Sequence, residues 1–462
     1  MPIRRERPAV AGLVGLAVLL AAGPWSAGAG QEKWTKQPGR VTRRAARTPR
    51  FEGLRNPPSE LPATDRVIVR FKPGVSPDMA RAMIESYGLR DARPTLRLGF
   101  YKARVPVGLS ARQTAAVLRL NPDVDYAGPD FRTRLAATPN DPFFTPYQYN
   151  LYNHGIVLDI APGLQPRTTA GADIKARPAW DRTKGSSEVV IAILDTGVDM
   201  SHPELANKVV STGRDFVNND MDATDDNSHG TFVAGVAAAE TDNDEGIAGV
   251  AWDCRVLPVK VMDADGYGYY GDLVDGILWA ADNGARVINL SLGGDEPDLA
   301  LEEACRYAFE KNVVIVAACG NESGPVIYPA AYDQYVMAVS ATDYADAWAS
   351  FSNSGPQVDV AAPGIDILGP VPQWYAGPDY LPYAFGDGTS AAAPHVAGLA
   401  ALLFSAKSWL AAGDLMNVIR YTADDVNGAT DPGRDDFIGY GRINMERALV
   451  PYKLITTRLV LR

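Results

Sequence analysis

Apolar segments of strand length alternate with helical segments through the middle of the chain, and this pattern constrains the fold most strongly. The apolar segments are residues 188–194, 255–261, 286–291 and 313–318. Helical patterns at residues 229–239, 270–283 and 298–311 separate them. Strands that alternate with helices in this way form a parallel sheet covered on both faces. The sequence therefore predicts a large α/β domain with a parallel sheet between two helical layers.

One hydroxyl lies in a tight glycine turn immediately before a long apolar helix. The turn is residues 386–390 (GDGTS), and residues 391–405 continue as a predicted buried helix. Glycines at positions 386 and 388 allow a sharp turn. Because the start of a helix favours negative charge, Ser390 is a candidate nucleophile. The alternative is that Ser390 only caps the helix, since Ser is a preferred N-cap residue.

A serine hydroxyl needs a base to become a nucleophile, and His229 is the best placed of the four histidines. It opens a polar turn that leads into a helix of small residues. His154 and His202 lie in loop-like segments, and His395 lies within the helix after Ser390, where a packed structural role is expected. His229 is therefore the candidate general base.

Two further polar residues follow apolar strands at their carboxyl ends. Asp195 comes directly after residues 188–194, and Asn321 comes shortly after residues 313–318. Ligands of an open parallel sheet bind at that edge. Asp195 is the candidate to orient the histidine, and the side-chain amide of Asn321 is a candidate donor to a developing oxyanion.

Together these segments resemble the active-site motifs of subtilases, a family of serine endopeptidases, and in particular the thermitase type. The motifs are residues 195–197 (DTG), 229–235 (HGTFVAG), 320–321 (GN) and 388–394 (GTSAAAP), in the family's order. The resemblance covers about residues 138–450. One departure is Phe232, where relatives often carry a second histidine that is not the base. Another is Cys319, beside the oxyanion asparagine.

The resemblance implies a subtilisin-like fold and hydrolysis of peptide bonds by an Asp195, His229 and Ser390 triad. Asn321 and the Ser390 backbone N–H would stabilise the oxyanion. A polypeptide substrate would lie as an added strand along the substrate-binding residues, which are Gly266, Tyr267, Gly268, Ser291, Leu292, Gly293, Cys319 and Gly320. The alternative is a catalytically idle member of the family that only binds polypeptide. Competent chemistry at all four catalytic positions favours the enzyme.

Two acidic groups resemble calcium sites, which need about six to eight oxygen ligands. The first group is Asp141, Glu204, Glu240, Asn243, Glu245 and Ile247. In it, Glu204 departs from the aspartate usual at that position. The second group is Asp215, Asp220, Asp222 and Thr224, in a loop shortly before His229. A solvated acidic loop is the equal alternative for the second group.

The chain divides into five predicted parts. Residues 1–29 combine arginines, an apolar run and a small-residue cleavage site, which indicates a secretory signal peptide. Residues 30–62 are basic and rich in Pro and Gly, as is typical of a disordered linker. Residues 63–135 alternate strand, helix, strand, helix and strand, and they resemble the family's propeptide, a ferredoxin-like α/β domain that acts as intramolecular chaperone and inhibitor until it is removed autocatalytically. An unrelated binding domain is the alternative. Residues 136–450 are the predicted catalytic domain, and residues 451–462 are a short tail.

Charge and cysteine content limit which binding partners and which cellular location we expect for the protein. Residues 1–137 carry an excess of basic residues although the chain has a net charge of −11, so the remainder is strongly acidic. We expect a secreted, monomeric enzyme without a stable membrane anchor that does not bind nucleic acid. Three cysteines, Cys254, Cys305 and Cys319, exclude a disulfide scaffold. Cys319 is expected to be a small buried residue rather than a reactive thiol.

Overall fold

The structure is a computed structural model. It describes residues 65–95, 99–130, 137–160, 164–210, 213–377, 381–450, 452–455 and 458–461. The predicted signal peptide (1–29) and the predicted linker (30–62) lie outside these residues. The described residues form two compact units, one within residues 65–130 and the other from residue 137 onward.

The smaller unit is an antiparallel sheet with two helices. Its elements are β1 (Arg66–Phe71), α1 (Pro77–Ser86), β2 (Arg90–Pro94), β3 (Phe100–Arg104), α2 (Ala111–Leu118) and β4 (Val124–Pro129). The strand order is β2-β3-β1-β4. Ser76 and Ser110 cap the two helices by accepting backbone N–H groups of the first turn. The core contains Val67, Val69 and Ile84.

This unit has one more strand than the sequence predicts. The extra strand, β2, lies at the edge of the sheet beside β3. Its sequence is RDARP, and four of its five residues are exposed. Charged residues and proline are typical of edge strands, but they hide the apolar alternation by which a strand is recognised.

The larger unit holds the remaining elements. In chain order they are α3 (Phe144–Tyr147), α4 (Ala176–Trp180), β5 (Val190–Asp195), β6 (Arg214–Asp215), α5 (His229–Ala238), β7 (Arg255–Lys260), α6 (Tyr270–Asp282), β8 (Ala285–Leu290), α7 (Leu299–Glu310), β9 (Val314–Ala318), β10 (Val336–Thr342), β11 (Val358–Pro363), β12 (Ile367–Pro370), α8 (Gln373–Ala376), β13 (Tyr383–Gly386), α9 (Thr389–Ala406), α10 (Ala412–Thr422), α11 (Met445–Ala448), β14 (Tyr452–Ile455) and β15 (Arg458–Leu461).

Seven of these strands form one parallel sheet in the order β11-β10-β9-β8-β5-β7-β6. The four predicted strands are its central members β5, β7, β8 and β9, which confirms the predicted α/β fold. The pairs β12-β13 and β14-β15 are separate antiparallel hairpins. The second hairpin lies in the segment predicted only as a tail.

Each central strand contributes side chains to two cores, since successive residues of a strand point to opposite faces. In β5, Ile191 and Ile193 join the core that contains α5, α9 and α10. Ala192 and Leu194 join the core that contains α6 and α7. Both faces of the sheet are therefore covered by apolar side chains. Polar residues such as Asp195 lie at the ends of the strands.

Helix α9 is a core helix, buried at every position from Thr389 to Phe404. Among the helices of the described residues, it is the one with the length and hydropathy to cross a membrane, and 89% of that stretch is buried in the protein. Small residues let its neighbours approach closely. A Cβ on Gly398 would lie 2.6 Å from Val250 Cβ and 3.0 Å from the carbonyl oxygen of Ala237 at the end of α5.

We expect Gly398→Ala to destabilise the larger unit by about 1–3 kcal/mol, because the added methyl group overpacks the contact of α9 with Val250 and α5. The matched control is Gly271→Ala in α6, where a Cβ would meet nothing within 4 Å. There the better helix propensity of alanine should stabilise by up to about 1 kcal/mol. Thermal unfolding of both variants measures the difference, and a stabilised Gly398→Ala protein would contradict the proposed contact.

Candidate active site

The four predicted catalytic residues all lie where an element of the larger unit begins or ends. Asp195 is the last residue of β5, and His229 is the first residue of α5. Asn321 follows the end of β9 by three residues, and Ser390 is the second residue of α9. Strands β5 and β9 are both neighbours of β8 in the parallel sheet, so their carboxyl ends lie at one edge.

The carboxylate of Asp195 is hydrogen-bonded to His229 in the protein interior. Asp195 Oδ1 lies 2.7 Å from His229 Nδ1, and it also accepts the Thr196 backbone N–H at 2.8 Å. Asp195 is fully buried and His229 is only 2% exposed. A carboxylate accepts hydrogen bonds, so the neutral ring carries its proton on Nδ1. The other ring nitrogen, Nε2, then has the lone pair of a general base.

Ser390 lies inside the first turn of α9. The N-cap residue is Gly388, with φ of 146°, so the interpretation of Ser390 as an N-cap is wrong. Gly386 is the last residue of β13, and of the two glycines only Gly388 has a positive φ. The Ser390 carbonyl oxygen accepts the hydroxyl of Ser291 at 2.9 Å. Ser390 thus lies at the positive end of a long buried helix.

The side-chain amide of Asn321 is held in one orientation by the residue before Ser390. Its Oδ1 accepts the backbone N–H of Thr389 at 2.8 Å and the Thr389 hydroxyl at 3.0 Å. Because a backbone N–H can only donate, the facing atom must be the amide oxygen. The Nδ2 group is buried and has no hydrogen-bond partner among the described residues. A buried donor without a partner costs free energy, and an anionic acceptor would satisfy it.

Several predicted substrate-binding residues occupy positions where a side chain would not fit. A Cβ on Gly268 would lie 2.3 Å from the Val261 carbonyl oxygen, and a Cβ on Gly293 would lie 2.4 Å from Ile327 Cδ1. At Gly320, with φ of 110°, it would lie 2.1 Å from Asn353 Nδ2. These contacts explain the glycines by packing and conformation.

The other predicted substrate-binding residues differ in exposure. Leu292 and Ser291 are buried, and the Ser291 hydroxyl braces α9 as described above. Tyr267 is 37% exposed, but its backbone N–H and C=O are both paired with Asp263. Gly266 donates its N–H to the carbonyl oxygen of the same Asp263. Peptide binding at these positions stays a prediction.

Cys319 is a buried structural thiol, as expected. Burial raises its pKa to about 12, so the sulfur is protonated at neutral pH. The Sγ atom lies 3.2 Å from the Asn353 carbonyl oxygen and 3.4 Å from Ser352 Oγ. Cys254 and Cys305 are also free and buried.

Two residues of the first predicted calcium group, Asp141 and Glu204, are buried carboxylates at one loop. Both oxygens of Asp141 accept the Asp242 N–H, at 2.9 and 3.1 Å. Glu204 Oε1 accepts the Ile247 N–H and the Tyr383 hydroxyl, each at 2.8 Å. Glu204 therefore reaches the loop despite its departure from the family pattern. Its Oε2 is buried without a hydrogen-bond partner in the described part of the chain.

Burial raises the pKa of Asp141 to about 6 and that of Glu204 to about 8, and the charge of Asp141 contributes to the shift of Glu204. Two desolvated carboxylates at one loop, each with a raised pKa, suit a cation. The remaining members are less converged. The Glu240 N–H donates to the Glu204 carbonyl oxygen, Asn243 Oδ1 accepts the Glu245 N–H, and Glu245 is exposed. Within the described ranges, no three His, Cys, Asp or Glu side chains converge on one point.

The second predicted calcium group turns its side chains back on its own loop. Asp215 accepts the backbone and side-chain N–H groups of Asn218 at 2.9 and 2.8 Å. Asp220 accepts the Asp222 N–H, and Asp222 accepts the Thr224 N–H and hydroxyl. The solvated-loop alternative accounts for these bonds equally well, so both interpretations stand.

Sequence reasoning missed two residues that hold the candidate catalytic groups. Thr389 anchors the Asn321 amide, and it could have been noticed because it directly precedes Ser390. Asp225 is a buried carboxylate that accepts hydrogen bonds from both sides of the Asp195 and His229 pair. It lies in an acidic stretch, and nothing in the sequence distinguishes it from its exposed neighbours.

Comparisons with known proteins agree with the geometry. The profile of the subtilase family matches residues 186–441, which include all four candidate catalytic residues. A thermophilic serine proteinase of Bacillus sp. (strain AK1) is 41% identical over 385 residues, 83% of this chain and 86% of that protein. Thermitase of Thermoactinomyces vulgaris is 41% identical over 312 residues, 68% of this chain and 99% of that protein. A solved protease structure from Pseudoalteromonas arctica PAMC 21717 has a TM-score of 0.58 and 30% identity, covering 68% of this chain and 99% of that chain.

We expect Asn321→Asp to fold normally but to lose most of its turnover. The aspartate keeps an oxygen for the Thr389 N–H, but it removes the Nδ2 donor and adds a negative charge. The expected fall in kcat is at least about 10²–10³-fold, the loss associated with removing one oxyanion donor in subtilisin. Steady-state kinetics on a peptide substrate measure it, with KM expected to change little. An unchanged kcat would remove Asn321 from the mechanism.

Proposed function

The chain belongs to the subtilase family and is a serine endopeptidase, and from this premise we propose that it is made as a secreted precursor, that it cleaves peptide bonds through Asp195, His229 and Ser390, and that it removes its own leader. Ca²⁺ holds the start of the mature enzyme.

The triad uses His229 as the proton carrier. The hydrogen bond from Nδ1 to Asp195 Oδ1 (2.7 Å) keeps Nε2 as the proton acceptor and stabilises the imidazolium that forms. Nε2 takes the proton of Ser390 while the hydroxyl oxygen attacks the carbonyl carbon of the scissile bond. The same proton passes to the leaving amine, and a water molecule then releases the acyl group by the same steps.

One observation supports this mechanism most directly: the buried Nδ2 group of Asn321, which has no partner in the described residues and is fixed next to Ser390 through Thr389. A negatively charged oxygen that forms as Ser390 attacks would accept a hydrogen bond from this Nδ2 group. The donor gains most when the charge is greatest, so it lowers the barrier rather than only binding the substrate.

The peptide substrate pairs with Gly266 and Gly268 on one side and with residues 291–293 on the other. Tyr267 pairs both of its backbone groups with Asp263, and the Gly266 N–H is also bonded to Asp263. The added strand would therefore pair with the Gly266 carbonyl oxygen and with the backbone groups of Gly268. Backbone pairing of this kind gives affinity with little reading of side chains. The substrates are therefore extended segments of polypeptides.

The leader is residues 63–135, and cleavage occurs near residues 136–138. Among the described residues, the boundary between the two compact units falls between residues 130 and 137, which supports this assignment. A domain with its own core folds as a unit, as a chaperone and inhibitor would need to do. Residues 1–29 direct export, because basic residues, an apolar run and small residues follow one another there.

We expect Ser390→Ala to abolish peptide hydrolysis, labelling by a fluorophosphonate and removal of the leader. Each needs the hydroxyl that the substitution removes. The matched control is Ser405→Ala on the same helix, whose hydroxyl donates to the Ala401 carbonyl oxygen and lies 3.5 Å from Cys254 Sγ. It should be processed and labelled like the parent protein.

The assay is expression in a protease-free host, followed by mass spectrometry of the amino terminus and by labelling of the purified protein. A Ser390→Ala chain that still trims itself would exclude Ser390 as the nucleophile. A parent protein that takes no label and cleaves no peptide would instead favour the catalytically idle binding protein.

Ca²⁺ binds at Asp141 and Glu204. Both carboxylates are buried, and burial raises the pKa of both. A bound cation would stabilise their charged forms and offset this cost of burial. Loop residues 240–247 would complete the ligand set with Glu240, Asn243, Glu245 and Ile247. The ion would tie the new amino terminus, only a few residues from Asp141, to the body of the enzyme.

We expect a chelator to lower the melting temperature of the inhibited mature enzyme. A ligand that binds only the native state stabilises it by about 2.7 kcal/mol at a concentration 100 times its Kd. Asp141→Ala should lose this response, whereas Glu303→Ala, an exposed helix variant paired with Arg306, should keep it. If the chelator has no effect, or if Asp141→Ala responds to calcium as fully as the parent, the calcium assignment is wrong.

A further inference from the structure

A buried carboxylate outside the triad, Asp225, bonds to both segments that carry the Asp195 and His229 pair. It is 2% exposed and precedes His229 by four residues. Five donors surround it. Oδ1 accepts the Thr196 hydroxyl and the N–H groups of Asn227 and Ser228, and Oδ2 accepts the N–H and hydroxyl of Thr231. A carboxylate offers about four lone-pair directions, so its accepting capacity is full.

The hydroxyl of Thr196 connects the two segments directly. It donates to Asp225 Oδ1 at 2.8 Å and accepts the Gly230 N–H at 3.0 Å. Thr196 follows Asp195, and Gly230 follows His229, so one hydroxyl joins the neighbours of both catalytic residues. The two segments approach each other closely, since a Cβ on Gly230 would lie 3.1 Å from Asp195 Cβ.

A buried lysine holds the same turn through its backbone. Lys260 is 1% exposed and pairs in register with Asp195 in the parallel sheet. Its ammonium group donates to the carbonyl oxygens of Thr196 (2.7 Å) and Met262 (2.8 Å) and to Asp226 Oδ1 (2.6 Å). Thr196, in the turn after Asp195, is therefore held at its carbonyl oxygen by Lys260 and at its hydroxyl group by Asp225.

We propose that Asp225 is a positioning residue that sets the geometry of the hydrogen bond between Asp195 and His229. The proposal rests on the triad proposed above and goes beyond it, because Asp225 touches neither the substrate nor the reacting atoms. Its charge strengthens all five hydrogen bonds, and donors from both segments meet on one rigid group. An amide at this position would turn an N–H group toward N–H and O–H donors in either orientation.

A loss of positioning is expected to reduce the rate more than the binding of substrate. General-base catalysis needs His229 in one orientation, whereas the peptide pairs with other segments. A merely structural carboxylate behaves differently. Asp359 is 4% exposed and accepts Arg420 Nε at 2.6 Å and the Ala338 N–H at 2.9 Å, away from both catalytic segments. Its substitution should lower stability alone.

The experiment compares Asp225→Asn with Asp359→Asn in the mature enzyme. For Asp225→Asn we expect kcat to fall roughly 10–100-fold with KM little changed, the range for loss of an orienting partner. The low-field proton NMR resonance of the His229 Nδ1–H should shift or broaden. Asp359→Asn should lower the melting temperature but leave kcat and the resonance at their parent values.

A second pair of variants tests the connection if Asp225→Asn does not fold. Thr196→Val removes the connecting hydroxyl at nearly constant volume, and Thr196→Ser keeps it. We expect Thr196→Val to lose kcat and Thr196→Ser to retain most of it. An Asp225→Asn protein, or a Thr196→Val protein, with parent kcat and an unchanged resonance would overturn the proposal. Ser390→Ala in the same assay keeps the two questions apart, since only its activity would contradict the triad itself.

Discussion

The close approach of α5 to the turn after β5 is the constraint on which the active site depends. The buried bond between Asp195 and His229 exists because nothing larger than a hydrogen atom stands at Gly230, where a Cβ would lie 2.0 Å from the Gly197 carbonyl oxygen. A buried carboxylate is stable only with partners, and here the partners come from a second segment of the chain. The hydrogen bond between Asp195 and His229 therefore depends on the close packing of the backbone at Gly230 as well as on the chemistry of the two side chains.

The central sheet and the candidate catalytic residues could be predicted because strong local sequence signals mark them. Residues 188–194 and 313–318 are continuous apolar strands, and the polar residues after them mark the functional edge. Strand β6 has two residues, and β2 is charged and exposed, so neither shows a period that could be recognised. The alternative that Ser390 is an N-cap is wrong because the helix begins one residue before it, at Thr389, after Gly388 with its positive φ.

Contacts between distant residues were beyond sequence reasoning. Asp225 and Asp226 are adjacent and chemically identical, yet Asp225 is buried among five donors, whereas Asp226 is about half exposed and pairs with the buried Lys260. Glu204 shows the same limit. It departs from the aspartate usual at that position, but the fold brings its carboxylate against the backbone of Gly246, where a Cβ would lie 1.9 Å from Oε1. Only the folded chain shows which acidic residue meets which loop.

The packing of Phe232 has a consequence for how the protein can change over evolution. Phe232 is one turn into the helix that begins with His229, and its ring lies where a Cβ on Gly369 would come within 2.3 Å. Gly369 belongs to β12, whose partner β13 leads through Asp387 and Gly388 to α9. The contact of Phe232 with Gly369 thus links the elements that carry His229 and Ser390, in addition to the direct packing of α9 on α5 at Gly398. Positions 232 and 369 should therefore vary as a pair among homologous chains. A side chain added at position 369 would clash with the Phe232 ring unless position 232 changed as well.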